Sequence, residues 1–212
     1  MLLGRMDVAP DGSPVELYAR LPELGEGEVV ASVLPAGASV LELGCGTGRI
    51  TQLVRLGLRV TAVDESAEML AHVRDAETIE ARIEGLELGR RFDAAILASN
   101  LVNADPPRRR AFLETCRRHA DLVLLEGLPL AWSPADGETT LGDVRSRLHV
   151  ERIDGGVVHG EMEYEADGRT WRHSFAMHVF GDESELSAAL AEARLRCERR
   201  LDARWFTAVP AS

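Results

Sequence analysis

The chain is poor in cysteine. Its three, Cys45, Cys116 and Cys197, lie far apart and form no C-x-x-C pair. A disulfide framework and a thiolate zinc knuckle are thereby excluded, no metal site is read, and a reducing, cytoplasmic compartment is expected. Long apolar runs are missing too: none approaches the ~18 residues that a helix needs to cross a bilayer. The pair Leu2 and Leu3 has no extended apolar core with a cleavage site behind it, so neither a secretory leader nor a membrane partner is expected. Basic charge is scarce: 24 Lys plus Arg stand against 35 Asp plus Glu, a net charge of −11. Such a surface repels phosphates, which argues against nucleic acid as a partner.

What is present is ordinary for a globular protein: 212 residues, 45% hydrophobic and 28% charged, without repeats or a low-complexity linker. This length favours one domain with one core over 1–212. From 39 to about 127, short apolar runs alternate with helical patterns, the rhythm of a parallel sheet flanked by helices. Strands are expected at 39–43, 59–63, 79–83, 92–98 and 121–126; all but 79–83 have the continuous apolar character of strands buried on both faces. Helical spacing marks 49–56 and 66–73. Asp105 followed by Pro106 and Pro107 predicts a capped helix through about His119.

After Gly127 the rhythm changes. Strand-like runs at 149–153, 157–165 and 170–180 are punctuated by Asp154-Gly155-Gly156 and Asp167-Gly168, which predicts an antiparallel meander after the fifth strand. Asp182-x-x-Glu185 opens a last helix, taken to run through the charged stretch up to Arg200, and 205–209 returns as a strand. Pro14 to Val33 reads as helical cover. The parts are then a cover over 1–37, a ligand-binding core over 38–130, the meander over 145–181, and a closing helix and strand over 182–212.

The informative stretch is Val40-Leu41-Glu42-Leu43-Gly44-Cys45-Gly46-Thr47-Gly48-Arg49, a buried strand entering a glycine turn that opens a helix. Glycine lets the backbone turn sharply and approach a ligand without a Cβ in the way. The spacing is G-x-G-x-G, with Arg49 where a dinucleotide fingerprint wants its third glycine, and no Lys-Ser or Lys-Thr pair follows to cradle phosphates. Glu42 aims a carboxylate toward the same site, which repels a pyrophosphate and attracts an ammonium or a sulfonium. Asp64, twenty positions after Gly44 at the end of the second strand, suits the two hydroxyls of a ribose, although it also fits a helix N-cap.

At these residues the chain resembles the class I S-adenosylmethionine-dependent methyltransferases, through LELGCGTGR (41–49), VTAVDESAEML (60–70), ARIEGLEL (81–88) and RFDAAILASNLVN (91–103). The resemblance covers about half the chain and implies a Rossmann-like three-layer α/β sandwich with a mostly parallel seven-stranded sheet. It implies S-adenosyl-L-methionine as cofactor and S-adenosyl-L-homocysteine as product. By it, Gly44, Cys45, Gly46 and Gly48 frame the cofactor, Glu42 lies near its methionine end and Asp64 at its ribose. Glu65 and Met69 lie along the adenosine, and Glu84, Gly85 and Leu86 line the adenine slot. Ala98, Ser99 and Asn100 pass beneath the methionyl group, and Tyr18 closes over from the cover. Bland alternatives stand beside several of these: Met69 and Tyr18 fit packing, Glu84 a surface acid, and Cys45 a small apolar filler turned toward the sheet.

Two stretches are set aside. Asp105-Pro106-Pro107-Arg108 resembles the D-P-P-Y motif of base-amino methyltransferases, but it falls past the fourth strand and has Arg108 where a base would stack. The basic runs Arg108-Arg109-Arg110 and Arg117-Arg118-His119, and the mixed charges from Glu192 to Arg200, read as solvated helix faces. The acceptor implied is a small molecule, such as a specialised metabolite, methylated on nitrogen or oxygen. A protein or peptide acceptor, or a module that binds the cofactor without transferring methyl, are the alternatives, and a homodimer is left open. A hydroxyl acceptor needs a base, and four of the six histidines fall in the meander. His173, on a face with Trp171, Phe175 and Met177, is the expected acceptor contact and base; His178, Asn103 and Trp132 are further pocket candidates.

Overall fold

The computed structural model describes residues 8–52 and 57–211. The leader question at the N-terminus and the end of the helix expected over 49–56 fall on 1–7 and 53–56, outside the described residues, as does residue 212.

Continuous apolar runs become strands covered on both faces. The parallel strands are β1 (Ser39–Leu43), β2 (Arg59–Asp64), β3 (Glu77–Glu80), β4 (Ala94–Leu97) and β5 (Val123–Glu126). Between them lie α1 (Val15–Tyr18) and α2 (Glu26–Ala31) ahead of β1, α3 (Ala67–Leu70), and α4 (Pro106–His119). A second, antiparallel sheet follows: β6 (Gly137–Leu141), β7 (Val144–Asp154), β8 (Val157–Ala166) and β9 (Arg169–His178). Then come α5 (Glu183–Glu192), β10 (Leu195–Arg200) and β11 (Trp205–Pro210). The main sheet has seven strands in the order β10-β11-β5-β4-β1-β2-β3, with β11 antiparallel to both neighbours.

Leu41, Leu43, Leu97 and Leu125 pack on one face against Phe112, Leu113 and Cys116 of α4 and Leu186 and Leu190 of α5. Val40, Val60, Ile96 and Leu124 pack on the other against Val30, Leu34 and Trp205. α4 begins as its sequence predicts, with Asp105 Oδ1 accepting from the Arg108 amide at 3.3 Å and proline in the first turn. No described helix is long and apolar enough to cross a membrane.

Several expectations are corrected. The last helix stops at Glu192, and the charged stretch beyond it is β10. Its stop signal was invisible because Arg194, not glycine, takes the left-handed turn (φ +56°) there. β6 is a further strand, four of its five residues exposed, so it carries no apolar alternation. β3 lies earlier than 79–83. Arg109 and His119 are buried rather than solvated. Arg109 stacks its guanidinium 5.0 Å from the centre of the Phe180 ring. His119 accepts from the Leu88 amide at Nε2 (3.1 Å), and its Nδ1 lies 2.8 Å from the Thr115 carbonyl, which requires the neutral tautomer protonated at Nδ1.

Candidate active site

At the carboxyl ends of β1, β2, β4 and β5 lies a cleft of about 920 Å³, roofed by α1 and the segment before α2 and walled on its far side by the four-stranded sheet. Open α/β sheets present ligands at such a place. The glycine turn forms its floor. The amides of Gly44 and Cys45 both donate to the Val63 carbonyl, at 2.8 and 3.0 Å, which ties the turn to the tip of β2. Gly44 has φ +70°, a conformation that side chains rarely adopt, so the backbone demands glycine, and a Cβ there would also push against Leu101 Cδ1 at 2.6 Å.

Two carboxylates open on this floor. Asp64 Oδ2 accepts from the Gly46 amide at 2.8 Å and Oδ1 from the Ser66 amide at 2.9 Å, which leaves each oxygen a lone pair directed elsewhere. Ser66, not Asp64, caps α3, its Oγ accepting from the Met69 amide at 3.2 Å. Glu42 is buried and accepts from Thr51 Oγ1 at 2.6 Å. Burial above all pushes its carboxyl up to about 7; the Thr51 hydrogen bond opposes this and the charge of Asp64 adds to it.

A third acid went unnoticed in the sequence. Glu126, the last residue of β5, is buried, accepts from the Ser99 amide at 2.8 Å and pairs with Arg204 at 2.8 Å. Its signal was the one that marked Glu42, a carboxylate at the end of a buried apolar strand. Ser99 and Asn100 are successive non-glycine residues in the left-handed region, held by Glu126 and by a 3.1 Å hydrogen bond from Arg204 to Asn100 Oδ1. Arg49 also borders the cleft and pairs with the buried Glu26 of α2, so the glycine loop and the roof are joined by an ion pair. At the β2–β3 side, Arg108 donates to Glu84 at 3.3 Å and lies 3.9 Å from Glu65.

The far half of the cleft is apolar with a few polar groups. Met162, Tyr164, Phe175 and Met177 face it from β8 and β9, Leu148 from β7, and Trp132 from the segment before β6. His173 is half-buried there, its Nδ1 3.4 Å from the Tyr18 hydroxyl, with the two rings edge to face at 6.4 Å. Burial raises the Tyr18 hydroxyl above its ordinary range, so the phenol stays protonated.

Of the residues singled out from sequence, Tyr18, Glu42, Gly44, Cys45, Gly46, Asp64, Glu65, Met69, Glu84, Ser99, Asn100, Trp132 and His173 border this one cleft. The thiol side of Cys45 packs with Ala62 and Val73, as its filler reading expects. Gly48, Gly85, Leu86, Ala98, Asn103 and His178 are not on its wall. Asn103 is fully buried and ties two segments together, donating to the His178 carbonyl and accepting from the Leu128 amide at 2.8 and 2.9 Å. His178 turns its ring edge-on to Phe180 at 5.3 Å, and burial, then Arg109, lowers its pKa.

Residues 40–121 match the family described as a methyltransferase domain, and that span holds the glycine turn, Glu42 and Asp64. The match takes in well under half of the chain. The chain is 40% identical over 79 residues to malonyl-[acyl-carrier protein] O-methyltransferase of Pectobacterium atrosepticum, covering 35% of this chain and 31% of that protein. An uncharacterized methyltransferase of Mycobacterium tuberculosis is 35% identical over 160 residues, 71% of this chain and 62% of that one. The chain therefore spans about a third of the first relative's length and under two thirds of the second's.

Among solved structures, a methyltransferase of Clostridium acetobutylicum superposes with a TM-score of 0.71 at 14% identity, covering 92% of this chain and 95% of the other. The sugar N-methyltransferase KedS8 of Streptoalloteichus superposes at 0.66 with 22% identity, covering 100% and 99%. At such identities the likeness is one of fold, and it takes in the antiparallel sheet as well.

Proposed function

We propose that this chain transfers a methyl group from S-adenosylmethionine to a nitrogen or oxygen of a small molecule. The observation that carries the reading is that Glu42 and Asp64 open on the same cleft as Tyr18 and His173, so one cavity joins an acidic nucleoside floor to an apolar chamber. The residues suit the cofactor on two counts. Gly44 and Gly46, both at positive φ, make a tight turn that presents bare backbone to the cleft. Glu42, Asp64 and Glu65 at that turn supply negative charge for a ligand bearing an ammonium and a sulfonium. KedS8 is described as acting on a sugar nitrogen, and an O-methyltransferase of ubiquinone biosynthesis is among the relatives, which supports the acceptor class without choosing the atom.

When bound, the sulfonium supplies the methyl group for an in-line displacement, which demands chiefly alignment. In this reading Asp64 takes the ribose hydroxyls and Glu42 the ammonium, while Glu65, Met69 and Glu84 flank the adenosine. Gly48, Gly85, Leu86 and Ala98 shape the turns from behind. Tyr18 closes the chamber from above and fixes the His173 ring. His173 accepts the acceptor's proton at a ring nitrogen where a hydroxyl is methylated; an amine that arrives neutral needs no base. A module that only holds the cofactor has no use for the open chamber beside it.

Calorimetry of S-adenosylhomocysteine binding tests the floor. Asp64→Ala weakens binding by ~1–3 kcal/mol, the scale of a lost buried hydrogen-bonding partner, and undiminished affinity removes Asp64 from the site. Mass-spectrometric screening of small amines and phenols for a gain of one methyl tests the chamber.

A further inference from the structure

At the other end of the main sheet lies a second cavity, of about 440 Å³, within the ~300–1,000 Å³ range of small-molecule sites. Arg91 enters it from the segment before β4, Arg110, Glu114, Arg117 and Arg118 from α4, and Glu192 and Arg194 from the end of α5 and the turn after it. Five arginines against two glutamates make this a positive hollow on a chain of net charge −11.

Three of the arginines have acidic neighbours: Arg91 pairs with Asp121, Arg110 with Glu114 at 2.9 Å, and Arg118 lies 3.8 Å from Glu87. Among the described residues Arg117 and Arg194 form no ion pair, and Arg117 Nε is buried without a hydrogen-bond partner. That nitrogen is closed off from the hollow, but the terminal nitrogens of the Arg117 guanidinium are not buried and make no hydrogen bond among the described residues, so they are available to an anion there. Arg194 stands in the left-handed turn (φ +56°) that ends α5, where glycine is the favoured residue, so local backbone preference does not account for arginine there.

We propose that this hollow binds a multiply charged phosphoryl group of a small molecule, at a site separate from the methyl-transfer cleft. The guanidinium groups come from three stretches of chain, and a group with several oxygens accepts from all of them at once, whereas a carboxylate offers two oxygens to one fork. The inference does not depend on the methyltransferase reading.

Isothermal titration of the full chain with inorganic pyrophosphate at low ionic strength tests it. One site is expected, weakened at least tenfold by Arg117→Gln and by Arg194→Gly, unchanged by saturating S-adenosylhomocysteine, and preferred at least tenfold over citrate. Glycine suits the left-handed turn, so the second variant keeps the fold and its loss of binding is a loss of the guanidinium. No binding, binding untouched by Arg194→Gly, or displacement by S-adenosylhomocysteine overturns the separate site; equal affinity for citrate overturns the phosphoryl assignment.

Discussion

The two sheets use their surfaces in opposite ways. In the seven-stranded sheet the central strands are covered on both faces, and charged side chains occur at the strand tips, where Glu42, Asp64 and Glu126 stand. In the four-stranded sheet one face turns Met162, Tyr164, Phe175 and Met177 to the cleft, while the other carries a lattice of ion pairs in which Arg147 joins Glu138 and Glu163, and Arg172 joins Glu163. The first sheet stores stability and positions a few charges with it. The second lends a single apolar wall and leaves its back to solvent, so sequence change there alters the cleft at small cost to the fold.

Four measurements can break or sharpen that contrast. Leu97→Ala, fully buried in β4, lowers the unfolding free energy by ~2–5 kcal/mol in urea titrations; a loss below 1 kcal/mol would dissolve the distinction between the sheets. Glu42 gives the next largest effect. Its carboxyl is raised to about 7, so the folded chain holds a proton that the unfolded chain releases at lower pH. Stability then falls as pH rises from the ordinary carboxylate range to about 7 and is level above it, by on the order of 3 kcal/mol. Glu42→Gln removes this slope, and a persistent slope assigns it elsewhere. Binding of the cationic ligand runs the other way in the unmodified chain, strengthening over the same interval as Glu42 ionises.

Gly160→Ala probes the second sheet. A Cβ there would lie 2.5 Å from the His149 carbonyl oxygen and 3.0 Å from the Phe175 ring. The variant is expected to lose ~1–3 kcal/mol through overpacking and to change acceptor turnover with S-adenosylhomocysteine affinity intact; weakened affinity instead couples the wall to the floor. Smallest of all, Arg147→Ala on the outer face shifts unfolding by ~0–1 kcal/mol, the range of exposed ion pairs.

The parallel core was legible because burial on both faces writes itself as unbroken apolar runs, and the floor of the cleft because glycine at Gly44 and acids at Glu42 and Asp64 answer to local backbone and charge. β6 and β10 were not legible: one is an exposed edge, the other is ended upstream by Arg194 in place of glycine. His178 and Asn103 looked like pocket residues from their place in the chain, yet one abuts Phe180 and the other spends its amide on the backbone.

By itself the amino-acid order determined the buried parallel strands, the glycine turn and the two acids at the strand tips, since periodicity and backbone preference act between residues near one another in sequence. Only the tertiary structure decided that Glu126 meets Arg204, that Tyr18 meets His173 across 155 positions, and that arginines from three stretches share one hollow. Those pairings are set by how the layers pack, and contacts between distant segments leave no mark in the local pattern of either.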